Sequence, residues 1–191
     1  MKTINKEEFL EEEKFYLEEI KNGKIFIYPT DTIYGIGCDA TNSKSVEKIR
    51  EIKKRDVKPF SIIVPNEKWI LDKCFVSEKH LGFLGKLPGK FTFILKLKEN
   101  ADVTKKSLVG DLSSIGIRIP DNWFAEFLTK NGIVFVTTSV NISGGKPLTD
   151  VKELKKEIFN KVDYIIDSGV LDNKPSQVID LSKDEVEILR Q

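Results

Sequence analysis

The 191-residue sequence predicts a single α/β domain over residues 1–191, with a twisted mixed sheet of parallel and antiparallel strands flanked by helices. Three observations carry that class. Short apolar runs of strand length alternate with helically spaced apolar residues along most of the chain. Hydrophobic residues make up 40%, enough for a sizeable core. The last three apolar runs, Tyr164–Ile166, Gln177–Ile179 and Glu187–Leu189, follow one another with no helix between them, which breaks strict βαβ repetition and favours a mixed sheet.

Taken in order, Asn5 with Glu8 three residues on has the form of a capping box, and Phe9, Tyr16, Leu17 and Ile20 ahead of Gly23 space out one amphipathic helix. Ile25–Tyr28 is the first strand. Val46, Ile49 and Ile52 share one face of a helix over 43–54, and Phe60–Val64 is a strand stopped by Pro65. Asn66 and Ser77 each open a short helix, over 66–73 and 78–86, before Pro88-Gly89 turns the chain into the strand Phe91–Leu97. Ile115–Ile119 and Ile133–Thr137 are strands on either side of a helix that Asp121 caps and that runs to Lys130; Asp150 caps a further helix reaching Phe159.

Composition excludes several classes. Lys and Arg total 31 against 30 Asp and Glu, a net charge of +1, so bulk charge neither demands nor forbids a nucleic-acid partner. No apolar run approaches the ~20 residues of a membrane span, the N-terminus leads into a charged segment, and Cys38 and Cys74 are too few for a disulfide framework; a reducing cytoplasm is the simplest location. His80 is the only histidine and no Cys/His/Asp cluster has zinc spacing, so no protein-held metal is expected and His80 reads as a surface helix residue. Gly85–Lys90 is one residue short of a phosphate loop and is followed by Phe91 rather than Ser or Thr, which argues against a Walker-type site.

Groups able to do chemistry gather at strand and helix ends. Residues Pro29–Ala40 open from a strand into a hydroxyl-rich loop where Thr30, Thr32 and Tyr34 can face a ligand and Gly35 and Gly37 allow close backbone approach; the same residues also suit an ordinary turn. Lys53, Arg55 and Lys58 form a basic run that suits phosphate or, equally, a solvated helix C-terminus favoured by the dipole. Arg118, between Ile117 and Ile119, points to the face opposite them, toward a cleft in a central strand or toward water at an edge. Ser139 and Asn141 share a face if their strand continues, as donors to a common ligand or as routine strand-exit residues. Taken together, the mix of cationic and neutral donors suits a nucleotide.

In this order and spacing, the segments Pro29–Gly37, Lys53–Arg55 with Lys58-Pro59, Pro88–Thr92, Gly116–Asp121, Ser139–Gly144 and Ser176–Asp180 resemble the YrdC-like family of threonylcarbamoyl-AMP synthases, in its short single-domain form, over almost the whole chain. The resemblance implies a concave basic groove and a nucleotidyltransferase. Its reaction would form L-threonylcarbamoyl-AMP and pyrophosphate from L-threonine, bicarbonate and ATP with Mg²⁺, for the t6A modification of tRNA. By this resemblance Lys53, Arg55, Ser139 and Asn141 form the catalytic set, and Lys53, Arg55, Lys58, Ser139, Asn141 and Arg190 bind the nucleotide. Thr30, Thr32, Tyr34, Arg118 and Ser176 would bind the small substrate. Downstream threonylcarbamoyl-transfer proteins, and a contact with tRNA, are implied as partners.

The chain departs from the common family pattern at Asp56, where proline often follows the arginine, at Ile63, where some members have histidine, and at Gln177 in the Ser176-Gln177-Val178 triplet. Two other readings share the groove: an RNA-binding module without catalysis, and a paralogue that adenylates a different carbamate or carbamoyl substrate. Segment 99–113, with Lys105, Lys106, Ser107 and Gly110, reads as a surface connection or as a lid over ATP.

Overall fold

Strand pairing dominates the architecture of the computed structural model, which describes residues 1–55, 58–101, 103, 107–108 and 113–191. The elements are β1 (Lys2–Ile4), α1 (Lys6–Glu11), α2 (Glu13–Lys21), β2 (Phe26–Tyr28), β3 (Gly35–Gly37), α3 (Ser43–Lys53), β4 (Ser61–Ile63), α4 (Glu67–Lys73), β5 (Cys74–Phe75), α5 (Leu81–Leu84), β6 (Phe91–Leu97), β7 (Ser114–Arg118), α6 (Trp123–Lys130), β8 (Phe135–Ser139), α7 (Lys156–Phe159), β9 (Tyr164–Ile166), β10 (Gln177–Asp180) and β11 (Glu187–Arg190). The sheet runs β1-β9-β2-β3-β8-β4-β7-β6-β10-β11, with β5 also paired to β6. Pairs β1/β9, β2/β9, β4/β7 and β6/β10 are parallel and the others antiparallel, so the sheet is mixed as the sequence predicts.

Alternation along each strand gives the sheet two faces. One face packs Ile27, Ile36, Ile62, Phe93, Ile117, Val136 and Ile179 against Val46, Ile49 and Ile52 of α3. The other carries Phe26, Tyr28, Ile63 and Phe135 under Phe9, Tyr16 and Ile20 of α1 and α2 and Phe124 and Phe127 of α6. Rings stack there at centroid distances of 4.8 Å for Phe9–Tyr16 and 4.7 Å for Tyr28–Phe124.

Local signals account for most helix starts. The Asn5/Glu8 capping box forms in both directions, each bond 2.8 Å long. Several expectations need correction. The single first helix is two, broken at Glu12 (φ −113°, ψ 28°); on a straight helix residues seven apart lie about 10 Å apart along the axis, and the break lets Phe9 and Tyr16 stack. The α6 cap is Asn122 rather than Asp121: its Oδ1 accepts from Ala125 N at 3.0 Å, and Asp121 N donates to Asp31. Asp150 caps only a 3₁₀ turn, Val151–Glu153, and α7 starts separately. Residues 78–86 form a 3₁₀ turn followed by the short α5, so faces read at α-helical spacing do not carry over. That turns His80 inward: it is 2% exposed, with its ring edge-on to Phe83.

Strand β3 lies in the segment expected to be a loop. Its glycines serve close packing rather than a turn: a Cβ on Gly37 would fall 1.9 Å from Val136 O, and one on Gly35 would fall 2.8 Å from the Tyr28 ring. Neither glycine has positive φ.

Candidate active site

The face carrying the aromatic cluster continues into a cavity of about 550 Å³. In-register pairs set its floor: Ser61 lies beside Gly116 on one side and Thr137 on the other, Gly116 beside Ile94, and Thr92 beside Val178. These positions share a face with Ile63, Phe135 and Arg118, two residues away on their own strands. The floor is therefore a row of small and hydroxyl side chains. Gly116 is required there, because a Cβ would fall 2.3 Å from Ser61 Oγ and 3.0 Å from Thr92 Cγ2.

The walls come from segments far apart in sequence: Thr30, Thr32 and Tyr34; Arg55 and Lys58; Arg118; Ser139; Ser176; and Arg190 all line the cavity. The Thr30 hydroxyl is occupied by its own loop, donating to Ile33 O at 2.7 Å and accepting from Thr32 N at 3.0 Å, with Thr32 Oγ1 2.9 Å away. Tyr34 points its hydroxyl at the 167–169 turn, donating to Gly169 O at 2.7 Å and accepting from Ser168 N at 2.8 Å, so only its flank faces the cavity. Arg190 braces the opposite wall: its Nε donates to Ser176 O at 2.9 Å and its Nη2 to Ser176 Oγ at 3.1 Å, while that hydroxyl pairs with Thr92 Oγ1 at 2.8 Å. Arg55 donates to Lys58 O at 3.1 Å and Pro59 O at 2.5 Å and lies over the Phe60 ring, and Lys58 is exposed. Burial, and then the Arg50 charge, lower the Arg55 guanidinium; burial, and then Arg118, lower that of Arg190.

Lys53 does not reach the cavity in this way. It is 1% exposed, and its ammonium donates to Ser139 O, to Asn141 O at 3.0 Å and to Asn141 Oδ1 at 2.9 Å. Asn141 in turn accepts from Ser139 Oγ at 2.7 Å and donates through Nδ2 to Gly145 O at 2.5 Å. Lys53 and Asn141 thus stand behind Ser139 and hold it, and neither lines the cavity. Lys54, a C-cap in the left-handed region (φ 48°), makes the turn that sends Lys53 inward and Arg55 toward the cavity. Burial, and secondarily Arg55, push the Lys53 amine down to about 7.

Residue-by-residue reading missed the role of Asp31. Its Oδ1 accepts from Arg118 Nη2 at 2.9 Å and its Oδ2 from Asp121 N at 3.2 Å. The signal was a carboxylate flanked by two threonines in an otherwise neutral loop. Asp180 was also missed: it lines the cavity beside Ile94 and accepts from Ser182 N and Oγ. Among the described residues no group of three or more His, Cys, Asp or Glu could hold a metal ion, and no helix is long and apolar enough to cross a membrane. Asp56, Lys105, Lys106 and Gly110 lie outside the described residues.

Known proteins similar to this chain fall in one family. A model of the Sua5/YciO/YrdC family, described as telomere recombination, matches residues 18–191. A Methanocaldococcus jannaschii protein provisionally named a threonylcarbamoyl-AMP synthase is 40% identical over 192 residues, covering 98% of this chain and 89% of its own. The crystal structure of P. abyssi Sua5 complexed with L-threonine superposes with a TM-score of 0.86 at 26% identity, covering all of this chain; the chain spans 57% of that protein's length. The crystal structure of Escherichia coli YciO gives a TM-score of 0.82 at 29% identity, covering 92% of this chain and 86% of its own. The model match over residues 18–191 and the 40% identity to the jannaschii relative place this chain in the Sua5/YciO/YrdC family.

Proposed function

We propose that the chain is a nucleotidyltransferase, an L-threonylcarbamoyladenylate synthase acting in the cytoplasm on L-threonine, bicarbonate and Mg·ATP. The observation that carries this reading is the convergence of Arg55, Lys58, Arg118 and Arg190 with a hydroxyl floor on one cavity of about 550 Å³, a size that suits a nucleotide with a small second substrate. The names of the jannaschii relative and of the threonine-bound P. abyssi structure support it.

In this reading the threonine amine and bicarbonate form a carbamate with loss of water, and a carbamate oxygen attacks the α-phosphorus as pyrophosphate leaves. The bond making and breaking need no protein nucleophile, so positioning and charge neutralisation do the catalysis. Arg55, Lys58 and Arg190 take the phosphates, Arg118 takes the threonine carboxylate, and Thr30, Thr32 and Ser176 shape the pocket for the amino acid. Ser139 lines the cavity with its carbonyl held by Lys53 and its hydroxyl proton held by Asn141 Oδ1, which leaves the hydroxyl oxygen as an acceptor in a fixed place. Mg²⁺ enters with ATP as substrate; with Asp180 the one cavity-lining carboxylate among the described residues, the phosphates and water supply most of its ligands. The product would pass to threonylcarbamoyl-transfer proteins for t6A formation on tRNA.

Mass spectrometry of a reaction containing ATP, Mg²⁺, bicarbonate and L-threonine tests this. Threonylcarbamoyl-AMP that requires both threonine and bicarbonate is expected, and Arg55→Ala is expected to cut turnover by about one to two decades through loss of one charge-assisted contact. The similarity to YciO supports a second reading, a paralogue that adenylates another carbamate; an adenylate formed only with a different small substrate selects it. Absence of any adenylate together with steeply salt-sensitive RNA binding selects a binding module instead.

A further inference from the structure

We propose that Asp31 is a positioning residue that presets the Arg118 guanidinium for a carboxylate of the small substrate. This deepens the function proposed above and rests on it for the identity of that carboxylate. Arg118 ends β7, and its side chain is 9% exposed where it lines the cavity; the Asp31 side chain is 5% exposed. A guanidinium so far out of water needs a fixed counter-charge. Asp31 supplies it and is itself braced: one oxygen takes Arg118 Nη2 at 2.9 Å, and the other takes Asp121 N at 3.2 Å. Arg118 and Asp121 lie three residues apart on one connection, so the carboxylate grips a single rigid segment at two points and ties the β2–β3 loop to it.

The grip uses only one corner of the fork. No Asp31 oxygen reaches Arg118 Nε, which is buried and has no partner among the described residues. A bidentate pair would use an edge of the guanidinium, whereas this pair leaves most of its donors uncommitted. The two charges also cancel, so an arriving carboxylate meets a fixed set of donors with little net attraction. Asp31 therefore sharpens the orientation of the substrate and does not tighten its binding. Asp31→Asn weakens both terms: Arg118 loses its counter-charge, and the single amide oxygen can accept from Arg118 Nη2 or from Asp121 N but not from both.

Two measurements on Asp31→Asn test the inference. In steady-state kinetics with threonine varied at saturating Mg·ATP and bicarbonate, kcat is expected to fall by about 10- to 100-fold, with KM for threonine unchanged or lowered, and Asp31→Glu is expected to recover part of kcat. Unchanged kcat, or a raised KM with kcat intact, overturns the inference. In ¹⁵N NMR, the Arg118 Nε–H signal, identified by its loss in Arg118→Lys, is expected to be sharp and protected from water in the wild-type protein and broadened in Asp31→Asn. An unchanged signal also overturns it. The NMR reading needs no turnover, so a wild-type protein that makes no adenylate counts against the proposed function while the role of Asp31 is still decided. Should Asp31→Asn not fold, Asp31→Glu gives the same two readings at smaller size.

Discussion

On one face of the sheet, Phe26, Tyr28, Ile63 and Phe135 lie under rings carried by α1 and α6, whereas the same face two residues along β4, β7 and β8, at Ser61, Gly116 and Thr137, bounds an open cavity. Backbone pairing is continuous across the two halves: Ile63 pairs with Arg118 and Phe135, and Ser61 with Gly116 and Thr137. What changes is side-chain volume and polarity, with Arg118 at the boundary between the two. Large aromatics bring helices down and expel water; small and hydroxyl residues leave room and line it with hydrogen-bonding groups. The cavity is a part of the sheet face that the sequence declines to fill, beside an aromatic half packed as densely as a core.

Substitutions that exchange the two characters test this contrast. The largest effect is expected in the sealed half. Phe135→Ala removes a fully buried ring beside Tyr28 and Phe124 and should cost about 3 to 5 kcal/mol, read as a shift in denaturant midpoint with threonine binding retained in the folded fraction. Loss of binding at a preserved midpoint would make the two halves one functional unit.

Next comes the open half. Gly116→Val places side-chain atoms where Ser61 and Thr92 meet, and turnover is expected to fall by at least about two decades, roughly 2.7 kcal/mol in the barrier, while overpacking lowers stability by about 1 to 3 kcal/mol. Kinetics and thermal melts on one preparation separate the two. A variant that turns over normally would show that the floor is not where the substrate sits.

A smaller effect belongs to Lys53. Its amine titrates at about 7 in the fold against an ordinary 10.5, so the folded state binds its proton less tightly than the unfolded chain. A depressed base costs stability progressively as pH falls from about 10.5 to 7, and the cost is complete below 7. Lys53→Met has no such titration. The wild-type Tm minus the Lys53→Met Tm should therefore rise between pH 7 and pH 9.5, and a flat difference would place the Lys53 proton in an ordinary environment.

The smallest effect is at Lys54, whose left-handed backbone glycine adopts without strain. Lys54→Gly should raise stability by up to about 1 kcal/mol, or about 2 to 4 °C in Tm. The Lys54–Glu157 contact at 3.8 Å is exposed and subtracts little.

Much of the fold is legible one residue at a time. The Asn5/Glu8 box, the Val46/Ile49/Ile52 face of α3 and the apolar strands β4, β6 and β7 follow from capping chemistry and periodicity, which need only near neighbours. Short elements held by pairing were not legible. β1 and β5 are strands because Ile166 and Leu97 lie opposite them, and β3 hides behind two glycines that ordinarily mark turns. In the site, the hydroxyls, Arg118 and the basic run were visible as residue types. The inward aim of Lys53, and the service of the Thr30 and Tyr34 hydroxyls to backbone, were not, because each depends on acceptors that packing brings in.

The sequence by itself determined most of the polar residues that gather at strand and helix ends, the order in which they arrive, and the mixed α/β class that carries them, since composition, spacing and periodicity are local properties. Only the tertiary structure decided which of those residues face the cavity and which stand behind it. Lys53 and Arg55 are two residues apart, yet one is buried under Ser139 and the other lines the opening, a division made by the left-handed turn at Lys54 and by the Ser139 and Asn141 oxygens that the end of β8 presents to Lys53. Asp31 and Arg118 are likewise ordinary charges until strand order sets them 2.9 Å apart, where burial turns a weak surface attraction into a fixed geometry.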